Sequence, residues 1–132
     1  MSAAAGIILL DSTTLTAYER DLTRRAQTIV LDAVLDGRLV LTTALSVTAA
    51  AAELGHDARE LSFLLNDPES PLTVLTLGQS ALDIGSAATE PTLAGVKIAA
   101  VVHEARAVSA VVFTYEPKLY HGQPVDVVDM RP

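Results

Sequence analysis

The sequence has no cysteine, no tryptophan and few aromatic residues, 4% in all. Without cysteine there are no disulfides and no thiolate metal sites, which fits a reducing compartment and leads us to expect a cytoplasmic protein. With so few rings the core has to be filled by Ala, Val, Leu and Ile, although half of the residues are hydrophobic. That filling suits helices packed on a parallel sheet better than an aromatic-rich sandwich. No apolar run approaches the ~18 residues that span a bilayer, so no membrane partner is expected. The opening "MSAAAGIILL" has neither a basic n-region nor a cleavage site, and no signal peptide is expected. Basic residues are also scarce: 9 Lys and Arg against 16 Asp and Glu leave a formal charge of −7. Such a balance argues against a broad phosphate-binding surface and against DNA as a partner. The chain has no G-x-x-x-x-G-K-[ST], G-x-G-x-x-G or G-x-S-x-G, which removes the usual phosphate-cradling loops and the serine nucleophile elbow. The third predicted strand ends "LTLG", without the acid of a phosphoacceptor site.

What is present is an alternation of strands and helices. At 132 residues the chain fits a single domain, residues 1–132. "IILL" predicts a buried strand ending at Asp11, and Ser12, Thr13 and Thr14 offer hydroxyl caps. From about Asp21, Leu22, Ala26, Ile29, Val30, Ala33 and Val34 recur with helical spacing until Gly37. "RLVLTT" predicts a second strand, "ALSVTAAAAELG" a helix, and "HDARELSFLLNDPESP" a helix that dissolves into a turn. "LTVLTLG" predicts a third strand and "QSALDIGSAATEP" a further helix. "TLAGVKIAAVVHEARA" is apolar on nearly every side, which predicts a helix lying centrally on the sheet. "SAVVFTYEP", the loop "KLYHGQP" and a short "VDVV" strand complete the pattern. Strands separated by helices pair in parallel through right-handed crossovers. The expected fold is therefore α/β, a three-layer α/β/α sandwich around a parallel sheet of four or five strands. Ligands of such sheets sit beyond the carboxyl ends of the strands, where strand order reverses.

Candidate chemistry follows from that location. Asp11 ends the first strand and Glu116 the fourth, so both are candidate Mg²⁺ or Mn²⁺ ligands, with Asp83 approaching from the helix after strand three. A capping role for Asp11, through the amides near Thr13 and Thr14, is the structural alternative. Glu19 and Asp21 read as acids complementing a helix start. His103 falls near the carboxyl end of the buried helix, where the dipole and a free carbonyl would hold it. His56 and His121 fall in loops, and no histidine pair has zinc spacing. Tyr18, Tyr115 and Tyr120 have no interleaved basic residues and read as surface or core rim rather than a base-stacking platform.

In this order, "IILLDSTTLTAY", "RLVLTTALSVTAAA", "VLTLGQSALDIGSAA", "VKIAAVVHEARA" and "AVVFTYEPKLY" followed by "VDVVDM" resemble a PIN domain, over nearly the whole chain. PIN domains include the ribonuclease toxins of bacterial toxin-antitoxin pairs, and the likeness extends to small PIN-like proteins of high-GC actinobacteria. The resemblance implies one or two Mg²⁺ or Mn²⁺ ions held by three or four acids, with an activated water attacking an RNA phosphodiester. Its first acid falls on Asp11 and its fourth on Glu116. The second falls near Thr48 and the third near Gly95, where there is no carboxylate, and Glu53 lies five residues beyond Thr48. The expectation is thus a degenerate nuclease site requiring no cofactor, in a module that binds a protein partner or forms a homodimer. A working Mg²⁺- or Mn²⁺-dependent ribonuclease, using Asp11, Glu116 and a displaced Asp83 or Glu90, is the alternative. An unrelated α/β ligand-binding domain is the third.

Overall fold

Alternation along each strand decides which side of the sheet a residue enters, because successive side chains point to opposite faces. In the computed structural model, which describes residues 6–21 and 23–132, β1 (Ile7–Leu10) sends Ile8 and Leu10 into one core cluster and Leu9 into the other. All three are essentially inaccessible to solvent. β2 (Leu39–Thr43), β3 (Leu72–Leu75), β4 (Val111–Thr114) and β5 (Asp126–Asp129) complete a wholly parallel sheet of order β3-β2-β1-β4-β5. Leu9 stands beside Leu41 on one side and Val112 on the other, so β1 is the central strand. The chain builds outward from β1 through β2 to β3, then crosses back to β4 and β5. Strand order therefore reverses between β1 and β4, and the crevice at their carboxyl ends is the natural ligand position.

Six helices are described: α1 (Ser12–Arg20), α2 (Arg25–Leu35), α3 (Ala44–Leu54), α4 (Arg59–Asn66), α5 (Ala81–Ala87) and α6 (Leu93–Val108). Leu15, Ala26, Val30, Ala33 and Leu61 bring α1, α2 and α4 onto the Ile8 and Leu10 face. On the other face α6 packs against β1, β2 and β4 through small residues such as Ala100 and Ala105, with α5 beside it. α3 touches both α1 and α6 and bridges the two layers. The three-layer α/β/α sandwich expected from the sequence is the observed fold. Among the described residues no helix is long and apolar enough to cross a membrane.

The structure departs from the sequence reading after β1. The hydroxyl-rich "STTLTAYER" is itself a helix, α1, entered directly from the strand with Asp11 as its N-cap. Its β-branched residues have modest helix propensity, but the cap and burial of Leu15 outweigh that. The helical period read from Asp21 onward is a second helix, α2, and Leu22 lies outside the described residues. Between them Asp21 bends the chain, its carboxylate accepting from the Thr23 and Arg25 amides and the Thr23 hydroxyl. Those bonds, the Thr23 hydroxyl foremost, hold the Asp21 carboxyl below its ordinary range. Glu19 caps a helix other than its own: from the end of α1 it accepts the amide of Leu61 in the first turn of α4, at 2.9 Å. Among the described residues no buried side-chain polar atom lacks a hydrogen-bond partner.

Candidate functional site

Asp11 emerges at the carboxyl end of the central strand, as expected, but its carboxylate is fully engaged with the protein. Oδ1 accepts the Thr14 amide at 3.1 Å and the Thr13 hydroxyl at 2.6 Å. Oδ2 accepts the Tyr120 hydroxyl at 2.8 Å. The residue is 1% exposed. The capping role weighed for Asp11 is present, reinforced by a phenol from the 3₁₀ turn Pro117–Tyr120 that follows β4. Tyr120 was expected at a surface or rim; it is instead buried among Leu9, Val101 and Val112. Its phenol is pushed well above the ordinary tyrosine range, first by burial, then by the charge of Asp11 and the bond to it.

A web of hydroxyls ties this corner together. Thr14 donates to the Phe113 carbonyl at 2.6 Å and Thr42 to the Leu10 carbonyl at 2.7 Å, which joins α1 and β2 to the ends of β4 and β1. Thr13 and Thr114 share a hydrogen bond at 3.2 Å, and the Tyr115 amide donates to the Thr13 hydroxyl at 2.8 Å. These threonines lie at the strand ends because each can satisfy a carbonyl or amide that the ladder no longer reaches.

Above the web is a cavity of about 260 Å³, bounded by Ser12 and Thr13 of α1, Ala49 and Glu53 of α3, Lys97 of α6, and Glu116. Asp11 does not line it. Glu116 does, as an exposed side chain, and the Lys97 ammonium donates to the Ser12 hydroxyl at 2.9 Å. Glu53 was set aside in sequence because it stands well round the helix from Thr48. On α3, however, it is Ala49 that faces the cavity while Thr48 turns outward and bonds back to the Ala44 carbonyl at 2.8 Å. Glu53 is one turn beyond Ala49, on the same face, and the Thr16 hydroxyl donates to it at 2.9 Å. Asp83 is exposed on α5 and lines no part of this cavity; Glu90 is likewise exposed and absent from it.

The third position of the resemblance, Gly95, is closed for a different reason. A Cβ built there would fall far inside van der Waals contact with the Glu90 carbonyl oxygen, which is backbone and cannot swing away. The Thr92 hydroxyl caps α6 at this point by accepting the Gly95 amide at 3.1 Å. A side chain at 95, carboxylate or otherwise, fits only if the Glu90 backbone shifts.

Mg²⁺ needs six oxygens at about 2.0–2.1 Å in nearly ideal octahedral array. Here Asp11 is sequestered, Glu53 and Glu116 line a cavity with an ammonium group, and position 95 is barred. Among the described residues no three His, Cys, Asp or Glu side chains are grouped to hold a metal. The residues present do not fit the ion set that the resemblance implies.

Sequence reading missed Tyr120, Lys97 and Ser12 as parts of one corner. Tyr120 and Asp11 are 109 residues apart, and Lys97 and Ser12 are 85 apart. His103 makes no bond to a carbonyl among the described residues; it lines a separate cavity on α6. No protein-family model matches the sequence, and no curated protein matches it.

Proposed function

We propose that this chain is a PIN-like domain whose acidic site has lapsed and that it serves as a non-catalytic protein-binding or regulatory module. One observation carries the reading: the carboxylate of Asp11 is committed to the α1 cap and the Tyr120 hydroxyl and lies buried beneath the cavity. The barred position at Gly95 and the ammonium of Lys97, in the cavity where a nuclease of this kind needs a divalent cation, support it further. Leu31 and Leu35, 57% and 74% exposed on α2, supply apolar surface for a protein partner or a second copy.

A Mg²⁺- or Mn²⁺-dependent ribonuclease of the toxin type is the second reading. It is favoured by Glu53 and Glu116 lining the same cavity. Calorimetric titration of Mn²⁺ and then Mg²⁺ into the metal-free protein separates the two. A lapsed site gives no saturable heat at millimolar metal. Micromolar Mn²⁺ binding that vanishes in Glu53→Gln or Glu116→Gln overturns the lapsed reading and calls for RNA cleavage assays. These two variants are better reporters than Asp11→Asn, because Asp11 also holds the fold.

A further inference from the structure

The cavity on the outer face of α6 differs in character from the one at the strand ends. It measures about 120 Å³ and follows one stripe of the helix, from Gly95 through Ala99 and Val102 to His103 and Arg106. Gln123, in the loop before β5, lines it as well, as do Ala87 and Thr89. Ala99 leaves its floor low, and the apolar wall is completed by Ile98 and Ala87. Its polar lining is a guanidinium, an imidazole, a carboxamide and the Thr89 hydroxyl, and no carboxylate lines the cavity. In a chain with 16 acids against 9 bases, this is a local inversion of charge. Among the described residues neither His103 nor Arg106 has a hydrogen-bond or ion-pair partner; Arg106 also borders a hollow containing Asp126, and no ion pair joins the two.

We propose that this groove binds a short-chain aliphatic monocarboxylate, with the carboxylate held by Arg106, His103 and Gln123 and the alkyl chain lying over Ala99, between Ile98 and Val102. The size agrees: a cavity of about 150 Å³ accommodates a molecule like benzene, so 120 Å³ takes an acid of about four carbons. The chemistry agrees as well. Guanidinium meets carboxylate in a planar, two-bonded pairing, the imidazole offers an N–H in either protonation state, and the Gln123 amide offers another. Asp126, in the neighbouring hollow that Arg106 also borders, opposes an anion and limits the affinity, whereas the field of acids farther off is screened within about 8 Å at physiological ionic strength. The groove lies beside α5 and shares no lining residue with the strand-end cavity.

The test is titration of sodium butyrate into the full chain, followed by backbone and side-chain amide NMR shifts, with n-butanol, n-butylammonium and sodium chloride as matched controls. Butyrate should give saturable, millimolar shifts confined to Gly95, Ala99, Arg106 and the Gln123 amide, and the controls should not. Arg106→Gln, an exposed change that leaves packing intact, should weaken binding about tenfold, the loss expected for one charge-assisted pair. His103→Gln should weaken it by less. Butanol matching butyrate, shifts that chloride reproduces, or affinity unchanged in Arg106→Gln would each overturn the proposal.

Discussion

Replacing Tyr120 with Phe removes one oxygen, and the cost should exceed that of most single-atom changes. The lost hydroxyl is the donor to Asp11 Oδ2 at 2.8 Å, and Asp11 is 1% exposed, so water cannot replace it without opening the corner. Hydrogen bonds to charged groups contribute about 1.5–3 kcal/mol, and that range is the expected loss for Tyr120→Phe. Asp11→Ala should cost about 2–4 kcal/mol, since it removes the α1 cap and also strands a buried phenol. Asp11→Asn is milder, about 1 kcal/mol, because the amide oxygen keeps the Thr13 and Thr14 bonds and the amide nitrogen can donate to the Tyr120 oxygen. Urea unfolding of the wild type, Asp11→Ala, Tyr120→Phe and the double variant, at constant m, gives the coupling directly. Two residues sharing a buried bond should couple by about 1–3 kcal/mol, so the double variant loses less than the sum of the singles. Additivity to within about 0.5 kcal/mol would refute the claim that Asp11 and Tyr120 act as one latch.

Gly95→Ala and Gly95→Asp should each destabilise the fold by at least about 1–3 kcal/mol, read by urea unfolding, because the added Cβ meets the Glu90 backbone. Gly95→Asp should also leave Mn²⁺ binding unchanged in calorimetry, despite restoring an acid at that position. Above about pH 10, stability should fall with rising pH: Tyr120 is held protonated in the folded state after an unfolded tyrosine has ionised, so the folded chain binds more protons and alkali favours unfolding. The fall approaches about 1.4 kcal/mol per pH unit for one such group, and Tyr120→Phe should lessen it in a denaturant series from pH 8 to pH 11, the rest coming from Tyr18 and Tyr115, which burial also shifts upward. Ser109, which ends α6 in the left-handed region at φ 56°, should gain about 0.5–1 kcal/mol on replacement by Gly, visible as a higher melting temperature.

The order of strands and helices was legible because both periods are written plainly into the chain. "IILL", "RLVLTT" and "SAVVFTYEP" are too short and apolar for surface helices, and "ALSVTAAAAELG" carries its own stop at Gly55, the C-cap of α3. α1 was not legible, because its signal is a single capping aspartate followed by residues of middling propensity, and its burial against the sheet decides the matter. Asp11 illustrates the same division at the candidate site. Local sequence put a carboxylate at the end of a central strand, and spacing alone could also offer it a cap.

Whether that carboxylate stays free depends on Tyr120, delivered by a turn beyond β4, and on a sheet order that sets β4 against β1. Whether Glu53 belongs to the cavity depends on the rotation of α3 about its axis, which turns Ala49 rather than Thr48 inward. Whether position 95 can take an acid depends on where the Glu90 carbonyl comes to rest. Local periodicity and capping are interactions among near neighbours, and so the sequence by itself determined the α/β layering and the strand-end position of Asp11. The closing of that site, and the uncapped His103 and Arg106 beside an apolar floor, come from contacts between distant segments, which only the packed tertiary structure decided.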